Sequence, residues 1–432
     1  MKRYNTVIVG NSITNLICSA LLANSGQKIM YIRIKNKDRG VGYFPERNGE
    51  FPICEYSFDC ESGIFHELLQ ELKLGEKIHC EKELPYLGYI LNDEKLSCEY
   101  SWDGFKQLII ARFREEQEAI RNFFSLIEKL SDEWIYMVNS SEFPKLEKIM
   151  NMAKYSHVKY VDHIHKTFND ISLIKILEQE VVSKDVSLPV MAGYIMQLFN
   201  GKRIEGGYKE LENHLYSIVY KSSYVIEAEE ADVKYEYYSE EKCFNVSIDE
   251  NNYLSDTLVL NTDFLGMFVP KKEDVSKHHI FYINCLIDKK SSPNGNIYKY
   301  CGGLIGGDND KSDYYCVISE SEDKVQARVF ISDAKNIDVD LVVEDVIMQV
   351  TNLCGVVISY DIVDESEINQ YFQWHNGQIN EWSFSPTDFK ENPLTKKYSP
   401  SGLYLTNTWG RAFITSAKIT AKNIIMSSKE FN

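Results

Sequence analysis

The stretch Thr6-Val7-Ile8-Val9-Gly10-Asn11-Ser12-Ile13-Thr14-Asn15-Leu16-Ile17, close to the N-terminus, decides the fold. Thr6 to Val9 are short, β-branched and largely apolar, and Gly10 follows at once, a pattern that predicts a buried parallel strand ending in a tight turn. Beyond the turn, Ile13, Leu16, Ile17, Ala20 and Leu21 recur at helical spacing and form one apolar face, with Gly26 placed to cap the helix. Ile29-Met30-Tyr31-Ile32 predicts the next strand. Strand, glycine turn, helix and strand, packed into about thirty residues, form the opening βαβ of a dinucleotide-type α/β fold.

The chemistry of such a turn depends on three glycines and an acid. The first glycine makes the turn, the second admits a pyrophosphate, and the third lets helix and strand approach. Here only Gly10 is present; Ser12 and Asn15 stand at the other two positions. The second strand ends at Arg33, where an acid would accept hydrogen bonds from ribose hydroxyls, and a guanidinium has no acceptor. The residues predict the fold and depart from the usual cofactor pattern.

Working outward, 432 residues exceed one ordinary core and predict two domains. A 44% hydrophobic and 26% charged composition excludes disordered, collagenous and disulfide-scaffold classes. The net charge of −17 disfavours phosphate backbones and anionic lipid, so no nucleic-acid partner is expected. Ten scattered cysteines without C-x-x-C pairs predict reduced thiols, and spacings such as Cys54/Cys60 do not form a zinc site. No apolar run is long enough for a transmembrane segment. Lys2 and Arg3 precede an apolar stretch like the start of an export signal, but Asn5, Gly10, Asn11, Ser12 and Asn15 break it, and a cytoplasmic protein is expected.

The spacing predicts loop from Gly40 to about Pro52, helix from Gly63 to Leu74, and a long helical pattern over Trp102–Met137 with a charged solvated face. Mostly helical sequence continues to about Leu198, as an insertion that would cap a cleft. A helix over Tyr208–Val219 precedes strands at 224–228, 233–238, 243–248 and 255–263. Further strands are predicted at 280–287, 314–319 and 326–331, and a helix at 342–350. Gly402–Thr406 predicts a strand and Phe413–Met426 an amphipathic helix, which would return to complete the N-terminal sheet.

These pieces, in this order, resemble the flavoprotein superfamily of phytoene desaturases, carotenoid isomerases, retinol saturase and amine oxidases. The Rab GDP-dissociation inhibitors share that fold and use it without flavin. The resemblance spans nearly the whole chain. Tyr4–Ile32 is similar to the family's first βαβ, Asp38-Arg39-Gly40-Val41-Gly42 to its glycine-pair loop, and Phe113–Leu130 to a helix of its substrate domain. Gly201–Tyr208, Ser255–Asp263 and Gly402–Ile425 resemble the second βα unit and the closing flavin-binding strand and helix. The resemblance implies an α/β fold: a discontinuous Rossmann-like, FAD/NAD(P)-binding-type domain with an inserted mixed α+β substrate-type domain. The first is assigned to residues 1–75, 205–265 and 395–432, the second to 76–204 and 266–394.

It also implies where a cofactor would lie: Gly10, Ser12, Asn15, Arg33, Gly40, Gly42, Asn407 and Thr408. Flavin-binding members usually carry glycine at positions 12 and 15, glutamate at 33, and Gly-Asp at 407–408. A hydrogen bond involving a charged group contributes on the order of 1.5–3 kcal/mol, so losing both acids would weaken flavin binding by powers of ten. The expectation is a flavoprotein-like chain with an eroded site and no cofactor, serving as a non-catalytic binding or accessory subunit for a protein partner. The alternative is an active FAD-dependent oxidoreductase or isomerase acting on an apolar or amine-bearing small molecule in the inter-domain cleft. Arg33 could alternatively meet a phosphate, as arginines do in NADP sites.

Other constellations read more plainly. His163-Ile164-His165 diverge on a helix, so no metal site is expected, and Asp308-Asn309-Asp310 lacks the later ligands of a calcium loop. Trp374, His375 and Trp382 are read as inter-domain packing. No residue is assigned a catalytic role.

Overall fold

The computed structural model describes residues 2–35, 58–81, 86–91, 94–140, 144–178, 186–202, 204–205, 207–261, 279–289, 297–305, 311–321, 323–331, 338–364, 401–406 and 413–430. The chain is α/β, with two seven-stranded sheets. The first sheet gathers β1 (Lys2–Val9), β2 (Ile29–Ile34), β5 (Tyr224–Ala228), β6 (Val233–Tyr238), β7 (Cys243–Ile248), β8 (Asn251–Asn261) and β14 (Leu403–Thr406). Its order is β5-β2-β1-β8-β7-β6, with β14 also paired to β8. The β5, β2, β1, β8 and β14 pairings are parallel, while β6 and β7 close the sheet antiparallel. Strand β1 is apolar on both faces because both are covered, as parallel sheets require. Helix α1 (Ile13–Asn24) follows β1 directly.

The second sheet runs β13-β9-β12-β11-β10-β3-β4, antiparallel except where β10 meets β3. Its strands are β3 (Tyr86–Leu91), β4 (Glu94–Glu99), β9 (His279–Lys289), β10 (Ile297–Ile305), β11 (Lys311–Ser321), β12 (Lys324–Ile331) and β13 (Gly355–Val363). Helix α10 (Val339–Leu353) buries Val342, Val343, Val346 and Val350 against one face of it. The opposite face contributes Leu87, Tyr89, Ile297 and Val317 to the large core that also holds Ile8, Ile13 and Leu16 from the first βαβ. That inner face therefore looks into the molecule.

Helices fill the space between. They are α2 (Gly63–Glu71), α3 (Trp102–Arg112), α4 (Gln117–Asn139), α5 (Met150–Tyr155), α6 (Tyr160–Thr167), α7 (Ile171–Glu178), α8 (Leu188–Asn200), α9 (Gly207–Ser222) and α11 (Phe413–Glu430). Gly193 of α8 is required because a Cβ there would meet the Trp134 ring of α4 at 2.4 Å. Helix α11 is tied to α2 and α4: buried Lys418 reaches Glu71 at 3.1 Å, and Lys422 donates to the Met137 carbonyl at 3.1 Å.

Three expectations are corrected. The helical pattern over Trp102–Met137 is two helices, because buried Phe113 leaves helical dihedrals (φ −109°, ψ 63°). The break lets α4 fold back on α3, with the rings of Trp102 and Phe124 edge-on at 5.1 Å. Strands β3, β4, β10 and β13 carry no clear local pattern and are set by their partners in the sheet. The cysteines are not all thiols: Cys60 and Cys80 form a disulfide with Cα atoms 5.9 Å apart. Bridges from Phe58 to Lys202 and from Cys80 to Ile204 bring the two cysteines together on the segment leading into α9, a juxtaposition invisible in their spacing. Among the described residues, no helix is long and apolar enough to cross a membrane.

Candidate functional site

The order β5-β2-β1-β8 reverses direction at β1, which makes the carboxyl ends of β1, β2 and β8 the crevice where ligands bind in open α/β sheets. Gly10 sits there with φ of +113°, a conformation that only glycine adopts readily, and turns the chain from β1 into α1. Ser12 is the N-cap; its Oγ accepts from the Asn15 backbone N–H at 3.2 Å. No acidic residue lies in the first turn of α1, so the positive end of the helix dipole faces the crevice without a local counter-charge.

Asn15 is fully buried where a glycine would let helix and strand touch. Its Nδ2 donates to the carbonyls of Val9 at 2.9 Å and Gly10 at 3.3 Å, and its Oδ1 accepts from the Thr406 hydroxyl of β14. The amide thus satisfies the polar groups that its own bulk exposes, and pins the C-terminal strand to the N-terminal turn. Asn11 does comparable work. Its Nδ2 donates to the Ile34 carbonyl at 2.7 Å and its Oδ1 accepts from the Ile34 N–H at 2.8 Å. These two bonds extend the β1–β2 pairing by one rung beyond Gly10, whose N–H meets the Ile32 carbonyl at 3.0 Å.

Arg33 has a different fate from the one its position suggests. It lies directly opposite Glu227 of β5 in the parallel register, pairs with that carboxylate at 3.3 Å, and stacks over the Tyr216 ring of α9 at 5.4 Å. The acid missing from the end of β2 is therefore present at the end of β5, half-exposed beside the arginine. Asn11, Thr406 and Glu227 are absent from the residues chosen by sequence. The asparagine beside Gly10 was a local signal; the other two reach the crevice through strand pairing across 391 and 194 residues of separation from Asn15 and Arg33, respectively.

The structure brings Gly10, Ser12, Asn15 and Arg33 to the same edge of the first sheet, while Gly40, Gly42, Asn407 and Thr408 lie outside the described residues. So do Trp374, His375, Trp382 and Asp308–Asp310. The two imidazoles on α6 part company: His165 meets Glu178 at 2.7 Å, whereas His163 packs between Phe123 and Tyr155, where burial lowers its pKa.

No family model matches the sequence, and no curated protein matches it. Solved structures match over essentially the whole chain. Putrescine oxidase bound to putrescine superposes with a TM-score of 0.60 at 12% identity, covering 100% of this chain and 99% of its own. Cyclohexylamine oxidase from Brevibacterium oxydans gives 0.58 at 9% identity, with 99% of each chain covered. A Rab GDI from Plasmodium falciparum gives 0.54 at 12%, with 98% of each covered. The chain has the amine oxidase and Rab GDI fold. The resemblance read from the sequence and the α/β class with its Rossmann-like sheet are both borne out by these matches.

The expectation of a chain without cofactor is corrected by the same matches. End to end, the chain takes the fold of putrescine oxidase, a protein whose cofactor binding has itself been redesigned. The physical source of the error is that each departure, at Ser12, Asn15, Arg33 and Asn407-Thr408, is a local loss that says nothing of what the other strands supply. A crevice is built by several strands, and here β5 places the Glu227 carboxylate beside Arg33.

Proposed function

We propose that this chain is an FAD-dependent oxidoreductase acting on a small molecule enclosed between its two sheets. The observation that carries the reading is the Gly10 turn, with φ of +113°, delivering a capped, acid-free helix N-terminus to the switch point of the sheet. Those residues fit a pyrophosphate, which needs backbone N–H groups and close approach at that position. Gly10, Ser12 and the first turn of α1 would hold it; Gly40, Gly42, Asn407 and Thr408 remain the further contacts that the family resemblance implies. Glu227 would accept from the ribose hydroxyls, oriented by Arg33. FAD supplies a two-electron acceptor when bound. The chain itself binds, orients and keeps water out, through the core shared by both sheets.

Titrating the purified chain with FAD tests this. A visible flavin spectrum that is retained on gel filtration and saturates at one equivalent is expected. Glu227→Ala should weaken binding about ten- to hundredfold, the worth of one charge-assisted hydrogen bond. A chain that stays colourless with excess FAD rules the reading out. A second reading, in which the fold serves a protein partner, is favoured by the amides of Asn11 and Asn15, which turn inward to the chain's own backbone. FAD bound at full occupancy without turnover of any amine, alcohol or acid panel would favour it.

A further inference from the structure

The inner face of the second sheet carries polar side chains that the described residues do not satisfy. Cross-strand partners share a face, and the register fixes which residues these are. One row runs Tyr282, Arg328, Val317, Lys299 and Tyr89 across β9, β12, β11, β10 and β3. The next row, two residues along, runs Asp361, Asn284, Gln326 and Ser319. This is the face turned away from α10 and toward the shared core.

Within it, Tyr89 Oη, Ser319 Oγ and Arg328 Nε are buried and have no hydrogen-bond partner. Tyr89 is fully buried and Ser319 is 5% exposed. Among the described residues, Arg328 contacts the Phe330 ring at 4.9 Å and pairs with no carboxylate. Native proteins seldom leave such groups unpaired, and three on one face ask for a partner beyond the described residues. A guanidinium offers donors only, so that partner accepts hydrogen bonds at the Arg328 end. The charge on the face has the same sign. Lys299 lies in Arg328's own row, one strand beyond Val317 and hence about 10 Å away between backbones. Its ammonium is ringed by Tyr89 at 5.5 Å, Tyr100 at 5.8 Å and Phe199 at 5.2 Å. Among the described residues, the acids on this side of the sheet are Asp361 on the edge strand β13 and Asp288 at the exposed end of β9.

We infer that this face is the substrate wall and that it selects a small carboxylate. Resting on the proposed oxidoreductase, the inference narrows its substrate class. The carboxylate is received by the Arg328 guanidinium with the Ser319 hydroxyl beside it, and Tyr89 donates to an oxygen at the far end of the ligand. A cationic amine such as putrescine, present in the matched oxidase, would face the buried Lys299 ammonium and the half-buried Arg328 guanidinium and is rejected.

Three near-isosteric probes decide it: 4-hydroxybenzoate, 4-hydroxybenzyl alcohol and 4-hydroxybenzylamine. Binding is measured calorimetrically on the full chain, with and without FAD. The acid is expected to bind saturably and most tightly of the three. Arg328→Gln should weaken it about tenfold or more, because a bidentate charged contact is lost, with Arg328→Lys recovering part of the loss. Ser319→Ala should weaken it several-fold, while FAD affinity stays level in every variant. Tighter binding of the amine, equal binding of the acid to Arg328→Gln, or no binding of any probe overturns the inference. Binding of the acid by a chain that refuses FAD would leave this site standing and remove the flavin reading alone.

Discussion

The two sheets treat polar groups in opposite ways. At the crevice of the first, the side-chain amides are spent on the chain itself: Asn11 on Ile34, and Asn15, which stands in place of a glycine, on Val9, Gly10 and Thr406. On the inner face of the second, Tyr89, Ser319 and Arg328 keep buried polar atoms unspent. The first arrangement stabilises the fold. The second destabilises it and is retained only where something else supplies the missing bonds. The difference teaches that a departure from a glycine motif and a site for a ligand are separate questions, answered by hydrogen-bond accounting rather than by residue type.

The strongest way to break this comparison is Asn15→Ala. It removes three buried hydrogen bonds, with only the Tyr31 hydroxyl left to the Gly10 carbonyl and the Leu260 carbonyl left to Thr406, and should cost about 3–4 kcal/mol, read from equilibrium urea unfolding. An unchanged midpoint would mean the amide is not structural. Next in size is the Cys60–Cys80 bridge, which closes a loop of 20 residues near the segment leading into α9. Replacing both cysteines by serine should remove about 3 kcal/mol if loop entropy governs, and dithiothreitol should have the same effect on the unsubstituted chain but none on the double variant.

On the other side of the comparison, Tyr89→Phe and Ser319→Ala delete orphaned groups. Each should leave the ligand-free protein as stable as before or raise its stability by up to about 1 kcal/mol. A loss comparable to that of Asn15→Ala would show that both sheets spend their polar groups alike.

The smallest effect lies in the helices between them. Burial pushes the Glu128 carboxyl up, but bonds from the Lys106 ammonium at 2.6 Å and the Trp102 indole at 2.8 Å outweigh it and hold the pKa below its ordinary value. A carboxyl depressed in the folded state stabilises at pH above its unfolded pKa, and that stability fades as pH falls through the folded one. Glu128→Gln should therefore flatten the acid limb of the stability profile by less than about 1 kcal/mol, since both partners are part-exposed. A steeper acid limb in the variant would reverse the sign argued here.

How much was legible varies with the range of the interaction. The β1–Gly10–α1–β2 unit, the strands 224–228, 233–238 and 243–248, and the closing strand β14 and helix α11 all follow from apolar periodicity and turn residues within a few positions of each other. Strands β3 and β4 did not, because β3 is held by pairing with β10, some 210 residues away in sequence. In the crevice, Gly10 and Ser12 were readable as a turn and a cap, while Arg33 was readable only as a cation of unstated partner.

By itself the sequence determined the fold class, the position of the switch-point turn and the departures at Ser12, Asn15 and Arg33, since each depends on local spacing and side-chain type. Only the tertiary structure decided that Asn15 bonds to Thr406, that Arg33 faces Glu227, that Cys60 meets Cys80, and that Arg328, Lys299 and Tyr89 share one inward row. Those outcomes belong to strand register, and register is a property of chain segments brought together by the burial of a common core.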